Sequence, residues 1–163
     1  DETMPVPSFP YGCAVCEVEI DPETGVVELV RYTSVDDVGR AVNPLILHGQ
    51  THGGIAAGVG QALWEQCGYD AATGQQQSAT FMDYVVPRAD MLPAFTTEIS
   101  EVPSTSNPLG LRGGGEGGTT PALGAVVNAI VDALAELGVE HIEMPATPER
   151  VWRTIQAARP HLL

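Results

Sequence analysis

Glu116 stands between Gly113-Gly114-Gly115 and Gly117-Gly118, and Thr119-Thr120-Pro121 follows. Glycine costs backbone entropy. It is used where the chain takes a positive φ or where another group must come close to the backbone. Thr120 reads as an N-cap and Pro121 as a first helical residue, so the loop runs into a helix start, where the dipole favours negative charge. A carboxylate displayed on so bare a loop suits a general base. The alternative is a tight loop with a solvated glutamate.

Other residue pairs suggest chemistry and fail on spacing. Cys13 and Cys16 are spaced as in redox or zinc motifs. They lie in a segment that alternates like a strand, where residues three apart face opposite sides. A packing role follows, since no second Cys/His pair completes a zinc site, and with Cys67 the three cysteines cannot all pair. His48 and His52 are four apart, as in zinc proteases, but Gly49 occupies the place that motif gives to glutamate. There is no Gly-Lys-Ser/Thr phosphate loop, no dinucleotide fingerprint and no iron–sulfur cysteine spacing. No metal ligand is assigned.

Composition bounds the class. The chain has 163 residues, 44% hydrophobic and 17% charged, enough for one domain with a real core over 1–163. Its 21 acidic residues face seven arginines and no lysine, for a net charge of −14. Such a chain repels phosphate backbones, so nucleic acid is not an expected partner. No apolar run of roughly 18 residues offers a membrane span, and no signal peptide is visible. A cytoplasmic location is the expectation. The chain opens at Asp1 and reads as a piece of something longer.

The elements that must position Glu116 follow from pattern. Residues 1–11 read as an irregular lead-in. Residues 12–20 and 26–35 read as a hairpin around Asp21-Pro22-Glu23-Thr24-Gly25, and residues 36–40 as a loop. Asn43-Pro44 opens a helix expected to run to about Glu65. Its many glycines suggest that another backbone or a ligand presses on it. Tyr69–Gln75 reads as a second hairpin turn, Thr80–Pro87 as an extended run, and Phe95–Val102 as a strand. Leu123, Val126, Val127, Ile130, Leu134 and Leu137 share one helical face, closed by Gly138. Thr147-Pro148-Glu149 opens a last helix ending before Pro160. The fold class is α+β, with β-hairpins and extended strands packed with two to three helices.

An ordered set of segments carries a resemblance. Phe9-Pro10-Tyr11-Gly12, Val38-Gly39-Arg40-Ala41-Val42-Asn43-Pro44 and Gly49-Gln50-Thr51-His52-Gly53-Gly54 come first. Thr80-Phe81-Met82-Asp83-Tyr84, Pro103-Ser104-Thr105, Asn107-Pro108-Leu109-Gly110, Gly115-Glu116-Gly117 and Met144-Pro145-Ala146-Thr147-Pro148-Glu149 follow. Together, over about residues 9–157, the chain resembles the C-terminal part of the molybdopterin-binding large subunit of the xanthine oxidase, aldehyde oxidoreductase and aerobic carbon monoxide dehydrogenase family.

The resemblance implies a molybdenum hydroxylase that oxidises an aldehyde, an N-heterocycle or carbon monoxide with oxygen from water. Glu116 matches the family's general base beside molybdenum. Gln50 matches a glutamine that hydrogen-bonds the molybdopterin; a buried structural amide is the alternative. Gly114 and Gly115 would let the loop approach the metal's ligands. Asp37, Asn43 and Arg112 match family positions as loop and cap fixtures, and Val38 stands where many relatives have cysteine. The implied cofactors are molybdenum–molybdopterin, in the cytosine dinucleotide form, with FAD and 2Fe–2S clusters on other subunits or domains. The implied partners are the upstream part of the subunit and the iron–sulfur and flavin subunits. The isolated chain is expected to be inactive and to self-associate. The competing reading is a non-catalytic structural or assembly module of the same fold.

Overall fold

The computed structural model describes residues 8–158. Two long strands, β1 (Tyr11–Ile20) and β2 (Val27–Asp37), form the expected antiparallel hairpin. Asp21 closes its turn by accepting from the Glu23 amide at 2.9 Å and the Thr24 hydroxyl at 2.7 Å. Gly25 takes φ 74° there, which glycine adopts without strain. A short strand, β3 (Thr96–Ser100), pairs with β2 in parallel, so the sheet order is β1-β2-β3. Parallel pairing needs a long crossover, and α1 (Pro44–Leu63) with its following loops supplies it. The helices α2 (Thr119–Ala133) and α3 (Pro148–Ala158) complete an α+β fold.

The hairpin carries one irregularity. Glu17 pairs with Arg31 and Val18 with Leu29, so Val30 is an extra residue in β2. A bulge of this kind shifts the alternation of faces along the strand. Val27 and Leu29 are buried on one side of it, and Tyr32, Ser34 and Asp36 on the other. The inward residues of β1 shrink in step: Ile20, Val18, Cys16, Ala14, then Gly12. The sheet's inner face is therefore thick and apolar at the turn, thin and polar at the far end.

The core gathers Leu29 and Tyr32 of β2 with Ile55, Val59 and Leu63 of α1, Val126 and Ile130 of α2, and Val151 and Ile155 of α3. Helix α1 starts as expected, with the Asn43 side chain accepting from the Ile46 amide. Gly54 and Gly58 let α2 come close. A methyl on Gly58 would lie 2.6 Å from the Thr119 carbonyl oxygen and 2.7 Å from the Ala122 Cβ. Gly49 and Gly53 lie on another face with nothing within 4 Å.

Several boundaries differ from expectation. Strand β2 runs through Asp36 and Asp37, because pairing with Tyr11 and Gly12 on one side and with β3 on the other extends it past the polar residues. Phe81–Asp83 form a turn, not an extended run: the Thr80 hydroxyl donates to the Asp83 carboxylate at 3.0 Å, and local side-chain bonding of this kind competes with a strand. The Tyr69 turn closes with a single bridge to Gln76. Helix α2 starts at Thr119 with Gly118 before it, so Thr120 and Pro121 sit inside its first turn. After α2 the chain tightens through Ala135–Leu137 and ends at Gly138, φ 77°. Of the irregular lead-in, residues 1–7 lie outside the described residues, and β1 begins at Tyr11.

Candidate active site

The Glu116 loop is fastened at both ends. On the entry side the Arg112 amide donates to the Val38 carbonyl at 2.8 Å, and the Arg40 amide to the Gly110 carbonyl at 2.9 Å. On the exit side Gly118 abuts α1 at the Thr51 carbonyl and the Ile55 amide, and the Thr120 amide donates to the Glu116 carbonyl at 3.2 Å. Between these anchors Glu116 is exposed.

The predicted site residues sit together, in differing ways. The Gln50 side-chain amide on α1 donates to the Gly115 carbonyl at 2.8 Å. Gln50 is exposed on α1, with its side-chain amide committed to the loop. Gly115 has nothing within 4 Å of where a side chain would start, whereas one on Gly114 would meet the Leu47 Cδ2 at 3.0 Å and the Val38 Cγ1 at 3.3 Å. The bareness of Gly115 therefore faces open space, and that of Gly114 faces packing.

Arg112 straps a second segment over the loop. Its Nη1 donates to the Phe9 carbonyl at 3.3 Å, and its guanidinium carbon lies 5.1 Å from the Tyr11 ring centroid, within cation–π range. Its Nε lies 3.5 Å from the Asp37 Oδ1. Asp37 also accepts from the Gly39 amide at 2.8 Å and the Val102 amide at 2.9 Å. Burial alone would raise the Asp37 pKa. The Gly39, Val102 and Tyr11 hydrogen bonds and the Arg112 charge outweigh it and hold the carboxyl below its ordinary value.

Strap and loop enclose a cleft of about 540 Å³, lined by Phe9, Tyr11, Asp36, Glu116 and Pro121 among others. Asp36 is the residue that sequence reasoning missed, since residues 36–40 read as loop. Burial pushes its pKa up, only partly offset by the Ser34 hydroxyl. The polar residue two steps from Ser34 on an inward-alternating strand was the available signal.

The remaining candidates lie elsewhere. His48 and His52 both hydrogen-bond the Thr97 hydroxyl, at 2.8 and 3.1 Å, tying α1 to β3. Cys13 is exposed, while Cys16 packs on the core from the opposite face of β1, its thiol pushed up to about 12 by burial and by Glu17. Among the described residues no three His, Cys, Asp or Glu side chains form a metal-binding group.

Residues 1–93 match the molybdopterin cofactor-binding domain family. The chain belongs to that family. It is 42% identical over 147 residues to the nicotine 6-hydroxylase large subunit of Paenarthrobacter nicotinovorans, covering 90% of this chain and 18% of that one. To the carbon monoxide dehydrogenase large chain of Hydrogenophaga pseudoflava it is 36% identical over 149 residues, covering 91% and 18%. A crystal structure of a Cu,Mo-CO dehydrogenase superposes with a TM-score of 0.89 at 34% identity, over 93% of this chain and 19% of that one. The chain thus spans about 18% of the length of the curated relatives it matches. No helix among its described residues is long and apolar enough to cross a membrane.

Proposed function

We propose that this chain supplies the general base of a molybdenum hydroxylase, and that Glu116 is that base. One observation carries the reading: Glu116 is an exposed carboxylate on a glycine loop, fixed at both ends, that opens into a cleft. The cleft fits molybdopterin. Gly113 and Gly115 leave the backbone open to close approach, and aromatic and polar groups line the same space. Of the predicted cofactor contacts, Gly115 faces the cleft, Gln50 holds its carbonyl from α1, and Gly114 packs the loop down on Leu47 and Val38. The group, in its cytosine dinucleotide form, supplies the redox centre when bound. Glu116 takes the proton from the water-derived nucleophile, and Gln50 holds the Gly115 carbonyl so that the neighbouring carboxylate keeps one position.

The wider reading follows from this site. The upstream part of the subunit supplies the remaining cofactor contacts, and partner subunits carry the 2Fe–2S clusters and FAD that take the electrons. The whole enzyme works in the cytoplasm on an aldehyde, an N-heterocycle or carbon monoxide. The chain alone is inactive.

The test is Glu116→Gln in the assembled enzyme, compared at equal molybdenum content. The change keeps size and removes the basic oxygen, so turnover falls about 10²–10⁴-fold. Retention of more than about a tenth, under the ~1.4 kcal/mol of one decade, would show that Glu116 is only a loop residue.

A further inference from the structure

Asp36 and Asp37 are adjacent carboxylates with opposite surroundings. Asp37 is closed off by two backbone amides and by Arg112. Asp36 has one long hydrogen bond, from the Ser34 hydroxyl to its Oδ2 at 3.4 Å. Among the described residues its Oδ1 accepts none. That oxygen lies between two bare positions. A side chain on Gly12 would meet it at 2.8 Å, and one on Gly117 at 3.9 Å. Asp36 is only 8% exposed, yet it lines the cleft that Glu116 lines. Only Tyr32 and Arg112 hold fully buried side-chain polar atoms without a partner among the described residues, so the unused Asp36 oxygen is open to the cleft. The cleft is the direction from which a partner can come.

We propose that Asp36 is a ligand-binding carboxyl that hydrogen-bonds the N–H edge of a planar nitrogen heterocycle seated between the Phe9–Tyr11 strap and the Glu116 loop. The strap and Pro121 offer apolar and aromatic walls suited to a flat ring. A carboxylate matches an amino–imino edge, and such charge-assisted bonds are the strong ones. A second carboxylate, Glu116, in the same cleft disfavours an anionic edge at this end. The raised pKa of Asp36 fits the same role, because an N–H donor would offset the cost of its buried charge. The assignment rests on the cleft being the cofactor and substrate site. The heterocycle has two possible sources, the pterin of the cofactor or the ring of an N-heterocyclic substrate.

The experiment uses Asp36→Asn and Asp36→Ala in the full-length assembled enzyme, with Ser34→Ala as a control that removes the Ser34 bond and keeps the carboxyl. Pterin and molybdenum content per subunit are measured first, then kcat and KM for hypoxanthine, whose ring carries N–H donors, and for an aldehyde at equal molybdenum. Loss of a hydrogen bond to a charged group corresponds to about tenfold or more in binding. A fall of that size in pterin content assigns the pterin. Full pterin content with a comparable rise in KM for hypoxanthine, kcat and aldehyde kinetics being held, assigns the substrate. Unchanged pterin and unchanged KM in both variants overturn the proposal, as does an equal effect of Ser34→Ala. Asn is isosteric with Asp, and melting temperatures exclude a folding defect. Glu116→Gln separates the two readings. If it stays active while the Asp36 variants lose ligand, the base assignment fails and this one stands.

Discussion

The Gln50 side-chain amide donates to the Gly115 carbonyl across 65 residues of sequence, at 2.8 Å. The bond joins the outer surface of α1 to the residue preceding Glu116. It makes the carboxylate's position depend on the helix as well as on the loop's own ends.

That dependence is measurable by hydrogen exchange. An exposed neutral hydrogen bond contributes about 0.5–1.5 kcal/mol at most, so Gln50→Ala should speed exchange of the Thr120 amide, which donates to Glu116, by several-fold. Gln50→Glu sets a carboxylate against the Gly115 carbonyl and should speed it further. Equal exchange in all three proteins would show that the loop's own anchors suffice.

The two glycine faces of α1 should respond oppositely to alanine. Gly58→Ala collides with the Thr119 carbonyl and the Ala122 Cβ, and overpacking costs typically about 1–3 kcal/mol. Gly49→Ala meets nothing within 4 Å and gains up to about 1 kcal/mol of helix propensity. Chemical denaturation of the chain reads both signs. If Gly49→Ala stabilises the chain alone and weakens the assembled enzyme, another part of the assembly lies against that face.

The twin aspartates should titrate stability in opposite senses. Folding raises the Asp36 pKa from 3.8, so the charged form is disfavoured in the fold, and the stability present in acid is lost as pH rises through the folded value. Asp36→Asn should therefore raise the melting temperature at neutral pH, with the gain vanishing below about 3.8. Folding lowers the Asp37 pKa, so its contribution exists above 3.8 and is lost as pH falls through the folded value. Asp37→Asn should cost most at neutral pH. Melting curves that shift in parallel for both variants would contradict these assignments.

Thiol labelling distinguishes the two faces of β1. At pH 8 an alkylating reagent should modify the exposed Cys13 and Cys67 and spare Cys16, whose thiol is held protonated. Modification of all three before unfolding would mean that β1 opens.

Local chemistry was legible in the sequence and long-range geometry was not. Asp21 and Gly25 fixed the hairpin and Asn43-Pro44 the start of α1; Val126 and Ile130 marked the buried face of α2, which ends at Ala133, short of Leu134 and Leu137. The loop around Glu116 stood out because five glycines around one carboxylate need no tertiary context to be noticed. Thr80–Val86 misled because Phe81, Tyr84, Val85 and Val86 favour strands in general, while Thr80 and Asp83 bond to each other locally. The difference between Gly114 and Gly115 depends on Leu47 and Val38, and no local pattern encodes it. Asp36 was hidden because the strand was read as ending at residue 35, and which face Tyr32, Ser34 and Asp36 share is set by pairing that includes an extra residue upstream.

That upstream residue is Val30, the unpaired position in β2. It acts as a phase shifter for everything that follows it in the strand. With the turn end held in place, drawing Val30 into regular pairing instead of bulging it out would rotate the far end by half a period. Asp37 would then face the cleft, and Asp36 would take the place beside Arg112. Which of two chemically identical neighbours meets a ligand is thus decided by a count, odd or even, made far from both.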